Sequence, residues 1–192
     1  MIVCGVDETG RGSSISGVWV SACILDPNNP IEGLRDSKKL SAKKREALVE
    51  EIKAKAICWN VEIATLEEVE QLNVLNATLL AMKRAVEGLR IQPDRVFVDG
   101  NTLPDLAIPA EAIVKGDDLI PAISAASILA KVARDKAVRE LHREYPHYGF
   151  DKHKGYLTKN HMAALQKYGP SPIHRKTYAP IRNLLHMQLE LF

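Results

Sequence analysis

Cysteine is scarce in this 192-residue chain: Cys4, Cys23 and Cys58 are its three, widely spaced. That excludes a disulfide framework and a cysteine-based zinc signature, and it fits a reducing, cytoplasmic setting. No apolar stretch is long enough to span a bilayer, and the start lacks a basic region followed by an apolar core, which argues against a membrane span and a secretory leader. Gly-Lys-Ser/Thr is absent, which removes a Walker-type phosphate loop. No Ser-His-Asp arrangement is evident, and neither an internal repeat nor a low-complexity segment occurs. Charge of one sign is lacking too, since the formal net charge is +2. What remains is an ordinary globular composition, 46% apolar and 26% charged, long enough for one full core.

The informative part is where the charges fall. Met1-Ile-Val-Cys-Gly-Val6 is a short apolar run of the kind that forms a buried strand, and it finishes on Asp7-Glu8. Successive side chains of a strand point to opposite faces, so for both acids to serve one site the strand must end there and bend. Thr9-Gly10-Arg11-Gly12 supplies flexible backbone, exposed amides and a cation. A dinucleotide fingerprint fails here, because the third glycine and an opening helix are missing. Instead Gly17 to Leu25 continues as β, which makes a hairpin. Ile57 to Ala64 reads as a third strand, and Arg95-Val-Phe-Val-Asp99 as a fourth that also finishes on an acid before glycine. Ala112-Ile-Val114 repeats the pattern, ending at Lys115-Gly116-Asp117-Asp118. A sheet that sets these ends side by side can bring Asp7, Glu8, Asp99 and Asp117 to one place.

Helices fall between the strands. Ser41 is an N-cap for a helix with Leu48, Ile52 and Ala56 on one face, and Thr65-x-x-Glu68 is a capping box. Beyond it Leu75, Leu79, Met82 and Val86 form one packing stripe, and Ile120 to Leu141 is a long helix whose stripe is mostly small residues. Thr158 caps a shorter helix ending near Gly169, and Ile181 to Phe192 is a terminal amphipathic helix. Clusters such as Lys38-Lys39, Lys43-Lys44-Arg45 and Lys152 to Lys154 suit a polyanion held by basic flanks over an acidic site. Carboxylates without cysteine or paired histidine select hard cations, Mg²⁺ or Mn²⁺, and four can hold two of them about a phosphodiester.

Taken in order, these motifs resemble ribonuclease HII, the bacterial type 2 ribonuclease H, over nearly the whole chain. The resemblance is carried by Asp7-Glu-Thr-Gly-Arg-Gly12, Asp36-Ser-Lys-Lys-Leu-Ser41, Asp99-Gly100, Lys115-Gly-Asp117, Ser124 to Val132, Tyr148-Gly-Phe150, His153-Lys-Gly-Tyr156 and His174-Arg175. It implies a ribonuclease H-like α/β fold, a mixed sheet flanked by helices with a C-terminal helical extension. The catalytic domain would cover residues 1–180 and a terminal helix or tail residues 181–192.

It further implies hydrolysis of RNA within RNA/DNA hybrids and incision 5′ to a single ribonucleotide in duplex DNA, leaving 3′-hydroxyl and 5′-phosphate ends. Asp7, Glu8, Asp99 and Asp117 would hold two divalent ions in a monomeric enzyme. Gly10, Arg11 and Gly12 would read the 2′-hydroxyl, Tyr156 would pack on the next sugar, and Lys38, Lys39 and Arg175 would contact phosphates. Other readings are a resolvase-type nuclease on the same fold or a non-catalytic nucleic-acid-binding module. Ser13-Ser-Ile-Ser-Gly-Val18 departs from the family pattern by lacking two prolines, which predicts a freer backbone and looser recognition of an isolated ribonucleotide. Finally, Gln188-Leu-Glu-Leu-Phe192 is similar to a sliding-clamp-binding pentapeptide, in which Gln188, Leu189, Leu191 and Phe192 would engage the bacterial clamp. The competing role is packing of Leu185, Leu189 and Phe192 onto the body.

Overall fold

The computed structural model describes residues 1–34 and 40–191. Lys38, Lys39 and Phe192 therefore lie outside the described residues. The first strand, β1 (Val3–Thr9), is the spine of a five-stranded mixed sheet. It pairs antiparallel with β2 (Val18–Ile24), which pairs antiparallel with β3 (Cys58–Ala64). On its other side β1 runs parallel to β4 (Arg95–Asp99), and β4 runs parallel to β5 (Ala110–Ile113), giving the order β3-β2-β1-β4-β5. Parallel neighbours finish at the same end of a sheet. The acid-terminated strands β1 and β4 and the chain leaving β5 therefore share one edge of the molecule.

Helices α1 (Ala42–Lys55), α2 (Leu66–Leu72) and α3 (Val74–Glu87) follow β2 and β3. Ser41 accepts from the Lys44 amide at the start of α1, and Thr65 and Glu68 form the reciprocal capping box at α2. The single helix expected beyond Thr65 is instead two, broken at Asn73 with φ +68°. The buried residues of α3 are Ala77, Thr78, Ala81, Met82, Ala85 and Val86, so Met82 and Val86 of the expected stripe are buried and Leu79 packs beside them partly buried. These pack with Cys4, Val6, Val18, Val20, Val96 and Val98 on one face of the sheet.

The other face is covered by α5 (Pro121–Glu144), which follows the short α4 (Gly116–Leu119). Gly5 lets it approach: a Cβ there would sit 2.1 Å from the Ala122 carbonyl carbon. The small-residue stripe of α5, with Ala122, Ala126 and Ala130 buried, serves that close contact. After α5 the chain forms α6 (Phe150–His153), α7 (Lys159–Tyr168) and α8 (Ala179–Leu189) around a separate cluster of Ile15, Val138, Tyr148, Phe150, Leu165 and Ile181. Three free cysteines are all buried, and among the described residues no helix is long and apolar enough to cross a membrane.

Candidate active site

The site begins with register. In the parallel β1–β4 pair Val6 stands opposite Val98, so the next step sets Asp7 beside Asp99. Asp99 in turn pairs with Ile113, and the chain passes from there through left-handed Lys115 (φ 57°) into α4. That turn aims the Asp117 amide at Asp99, to which it donates at 3.3 Å through Oδ1. Asp7 and Asp117 are both almost fully buried.

The strand does not stop at the acid pair as the sequence suggested. β1 stays bonded to β2 through Thr9, which faces Trp19, so Asp7 and Glu8 keep the strand's alternation. Asp7 turns toward α5 and the Ser127 hydroxyl, and Glu8 turns toward Arg11 and Arg175. Both still feel Asp99. Burial, followed by the neighbouring Asp99 charge, pushes the Asp7 carboxyl well above the usual range. Burial chiefly raises Glu8 to about 7, with Arg11 opposing and Asp99 adding to the rise. As placed, no three His, Cys, Asp or Glu side chains among the described residues are grouped tightly enough to hold a metal ion.

Beside the acids lies the loop Gly10-Arg11-Gly12. Gly10 has φ +98°, a conformation that favours glycine. Gly12 lies under the Tyr156 ring, where a Cβ would meet Cε1 at 3.4 Å, and Tyr156 is 41% exposed beside it. The loop and the tyrosine thus form one continuous surface next to the carboxylates.

Arg175 is placed differently from the expected phosphate contact. It is 1% exposed, and its guanidinium donates to the carbonyls of Ser16, Arg11, Gly10 and Gly17 at 2.7–3.0 Å. A planar fork of donors suits four converging carbonyls, and it leaves no face for a ligand. The role of Arg175 is to hold the glycine loop.

The freer backbone expected of Ser13 to Val18 is also not found. Ser13 and Ser14 are fully buried, and the Ser14 amide and hydroxyl both donate to the Gly155 carbonyl, at 3.0 and 2.7 Å. Ser16 donates its amide to Ile173, and Arg175 donates its amide to Ser14. Serines carry the N–H and O–H groups that proline lacks, and here those groups tie the segment to its neighbours on both sides.

The same layer contains three stacked or touching imidazoles. His153 and His161 lie with ring centroids 4.2 Å apart, and His161 Nε2 is 2.9 Å from His174 Nε2. Backbone partners fix the tautomers. His174 Nδ1 accepts the Ser171 amide, so its proton sits on Nε2 and points to His161. His161 then carries its own proton on Nδ1, toward the Tyr156 carbonyl at 3.0 Å. His153 and His174 stood in the sequence motifs; His161 did not, and an isolated histidine in a helix gives no signal of its own. Arg134 was missed as well, although it falls four residues after Ala130 on the inward stripe of α5, where a long charged side chain breaks the pattern of small residues.

At the C-terminus Leu184 and Leu185 pack against the helical cluster, while Leu189 and Leu191 are 76% and 81% exposed. Leu189 thus does not join the body, and the Gln188 amide lies against Gly169.

Residues 4–181 match the family model for ribonuclease HII. A ribonuclease HII of Desulforamulus reducens is 71% identical over 196 aligned positions, covering 100% of this chain and 99% of that one. Among solved structures, the ribonuclease H2 of Pyrococcus horikoshii superposes with a TM-score of 0.83 at 27% identity, covering 97% and 98% of the two chains. An Archaeoglobus fulgidus ribonuclease HII, solved in a complex with PCNA, gives a TM-score of 0.78 at 23% identity over 93% and 95%. With the acid-edged mixed sheet, the glycine loop and a family match along nearly its whole length, the chain belongs to ribonuclease HII, endoribonucleases that act on RNA/DNA hybrids.

Proposed function

We propose that Asp7, Glu8, Asp99 and Asp117 are the catalytic carboxylates, and that they hold two divalent ions, Mg²⁺ or Mn²⁺, across one phosphodiester. The observation that carries this reading is the coupling at one sheet edge: Asp99 raises the protonation range of both Asp7 and Glu8 and accepts the Asp117 amide. The donor set fits a hard cation, since every ligand offered is a carboxylate oxygen. Bound there, such ions supply an activated water and a counter-charge for the leaving oxygen. The chain's own part is to bring four carboxyl groups to one sheet edge, two of them buried, with Arg11 and Arg175 limiting the repulsion at Glu8.

Substrate choice falls to the adjoining surface. Gly10, Arg11 and Gly12 read the 2′-hydroxyl through backbone groups that lack a shielding side chain, and Tyr156 packs on the following sugar. The cut falls 5′ to a lone ribonucleotide and leaves 3′-hydroxyl and 5′-phosphate ends. Because the serine segment is tied down on both sides, this recognition is not loosened. A duplex containing one ribonucleotide, compared with a long hybrid in the presence of Mg²⁺ or Mn²⁺, tests the reading. A single incision 5′ to the ribonucleotide is expected; equal or reversed preference for the hybrid overturns the recognition part.

A second element concerns the tail. Leu189 and Leu191 stand clear of the body, as an apolar peptide that docks into a partner's pocket requires. We assign Gln188 to Phe192 as a contact for the bacterial sliding clamp. Deleting residues 188–192 should abolish clamp binding and leave the melting temperature within about 2 °C, because Leu189 and Leu191 are exposed. Lost stability with unchanged clamp affinity would discard the assignment.

A further inference from the structure

Two arginines are buried against Gly10, and they are not alike. Arg175 holds the Gly10 carbonyl and uses its donors on four backbone oxygens. Arg134, from α5, is 3% exposed and lies against the Gly10 α-carbon, where a Cβ would come within 2.5 Å of its Nε. Its Nη2 donates to the Lys154 carbonyl at 2.7 Å, and its guanidinium sits 5.6 Å over the Tyr156 ring. Its Nε finds no hydrogen-bond partner among the described residues.

Burying a guanidinium with a donor unmet is costly. What the arrangement does provide is a rigid connection. A single planar group touches the glycine that adjoins the acids, the carbonyl of Lys154 two residues before Tyr156, and the ring of Tyr156 itself. Its charge also lies toward Glu8.

We propose that Arg134 is a specificity-determining positioning residue, which fixes the distance between the Gly10–Gly12 loop and the Tyr156 ring and thereby selects an isolated ribonucleotide over a continuous RNA strand. The inference rests on the reading of the loop and Tyr156 given above. On a long hybrid every nucleotide offers a 2′-hydroxyl, so a slightly displaced loop still finds one. On a lone ribonucleotide both contacts must be met at once, and an error of the order of an ångström is not absorbed.

The test uses the full chain and two variants, Arg134→Met, which keeps the stem and removes the plane and charge, and Arg134→Lys, which keeps the charge alone. Steady-state cleavage is measured on a one-ribonucleotide duplex and on a long RNA/DNA hybrid. For Arg134→Met, kcat on the one-ribonucleotide duplex should fall about 100-fold, the scale of misplacement by about 1 Å. KM should change little, and kcat on the hybrid should fall by less than about 5-fold. Arg134→Lys should restore only a small part of the preference, because an ammonium neither stacks nor forks. Equal losses on both substrates in either folded variant, or full restoration by lysine, would overturn the proposal. If Arg134→Met proves unfolded by circular dichroism, the lysine variant alone decides through its substrate ratio. A wild-type chain that itself shows no preference would refute the underlying reading instead, and so is told apart.

Discussion

Replacing Asp99 by Asn should make the metal-free protein more stable while removing its activity. Adjacent strands stand about 4.8 Å apart, which puts the Asp7 and Asp99 carboxylates on the order of 6 Å from each other. At an effective dielectric constant of about 20, two full charges at that distance repel by about 3 kcal/mol. Burial and Asp99 hold Asp7 well above the usual range, so proton uptake offsets part of that repulsion. A net gain of about 1–2 kcal/mol remains, or about 4 °C in melting temperature for a chain of this size. Asparagine keeps an oxygen that can accept the Asp117 amide, so that hydrogen bond need not be lost.

The pH dependence has a definite sign. Raised carboxyl groups bind more protons in the folded than in the unfolded chain, so their destabilising effect is absent near pH 4 and grows as pH rises toward the Glu8 value of about 7. The stability gain of Asp99→Asn should therefore be small at pH 4.5 and larger at pH 7.5. Differential scanning fluorimetry with EDTA, then with Mn²⁺, measures both parts. Wild-type protein should gain stability on adding the ion and the variant should gain far less. A variant less stable than wild type in EDTA, or one that keeps full turnover, would refute the electrostatic reasoning.

Other outcomes follow from the packing around the site. Arg175→Met leaves four carbonyls without their donor, two of them buried, and should cost about 3 kcal/mol by urea denaturation; a phosphate contact would instead leave stability alone and reduce the salt dependence of binding by about one unit of slope. His161 and His174 are held down to about 4 and about 3, mainly by burial. Their unfolded forms take up protons first, so stability should be complete above about pH 6.5 and decline toward pH 4, by at most about 1.4 kcal/mol per pH unit for each ring. A flat melting temperature over that range would show the rings to be charged or exposed. Gly155→Ala sets a Cβ 2.3 Å from Ile15 Cγ1 at a residue with φ +87°, and should destabilise by more than about 2 kcal/mol on thermal unfolding.

Strand ends were legible because two physical signals coincided at each: an apolar β-branched run, then a carboxylate at its close. Asp7 and Asp99 are singled out in this way, whereas Asp117, inside α4, is distinguished from Asp118 only by the Lys115-Gly-Asp117 motif; the parallel pairing of β1 with β4 and β4 with β5 gathers these segments at one edge. Thr65, Ser41 and Thr158 were legible for a similar reason, since capping is a local matter of one side chain and one amide. The break at Asn73 was not, because the apolar spacing continues across it and only the left-handed backbone of that residue reveals the turn. Arg175 was misjudged for a reason of another kind. Sequence tells that an arginine will be charged but not that four carbonyls from residues 10–17 will close around it. The tying of Ser13 to Val18 likewise depends on contacts with residues 155 and 173–175, more than a hundred positions away.

Asp7, Glu8, Asp99 and Asp117 must act together on hard cations if they are the catalytic carboxylates. Crystals soaked in Mn²⁺ and measured for anomalous scattering test this directly. Two peaks touching the oxygens of these four side chains are predicted, and both should vanish in Asp99→Asn. Anomalous density only at other places, or none in crystals of a protein active in the same Mn²⁺ solution, would contradict it.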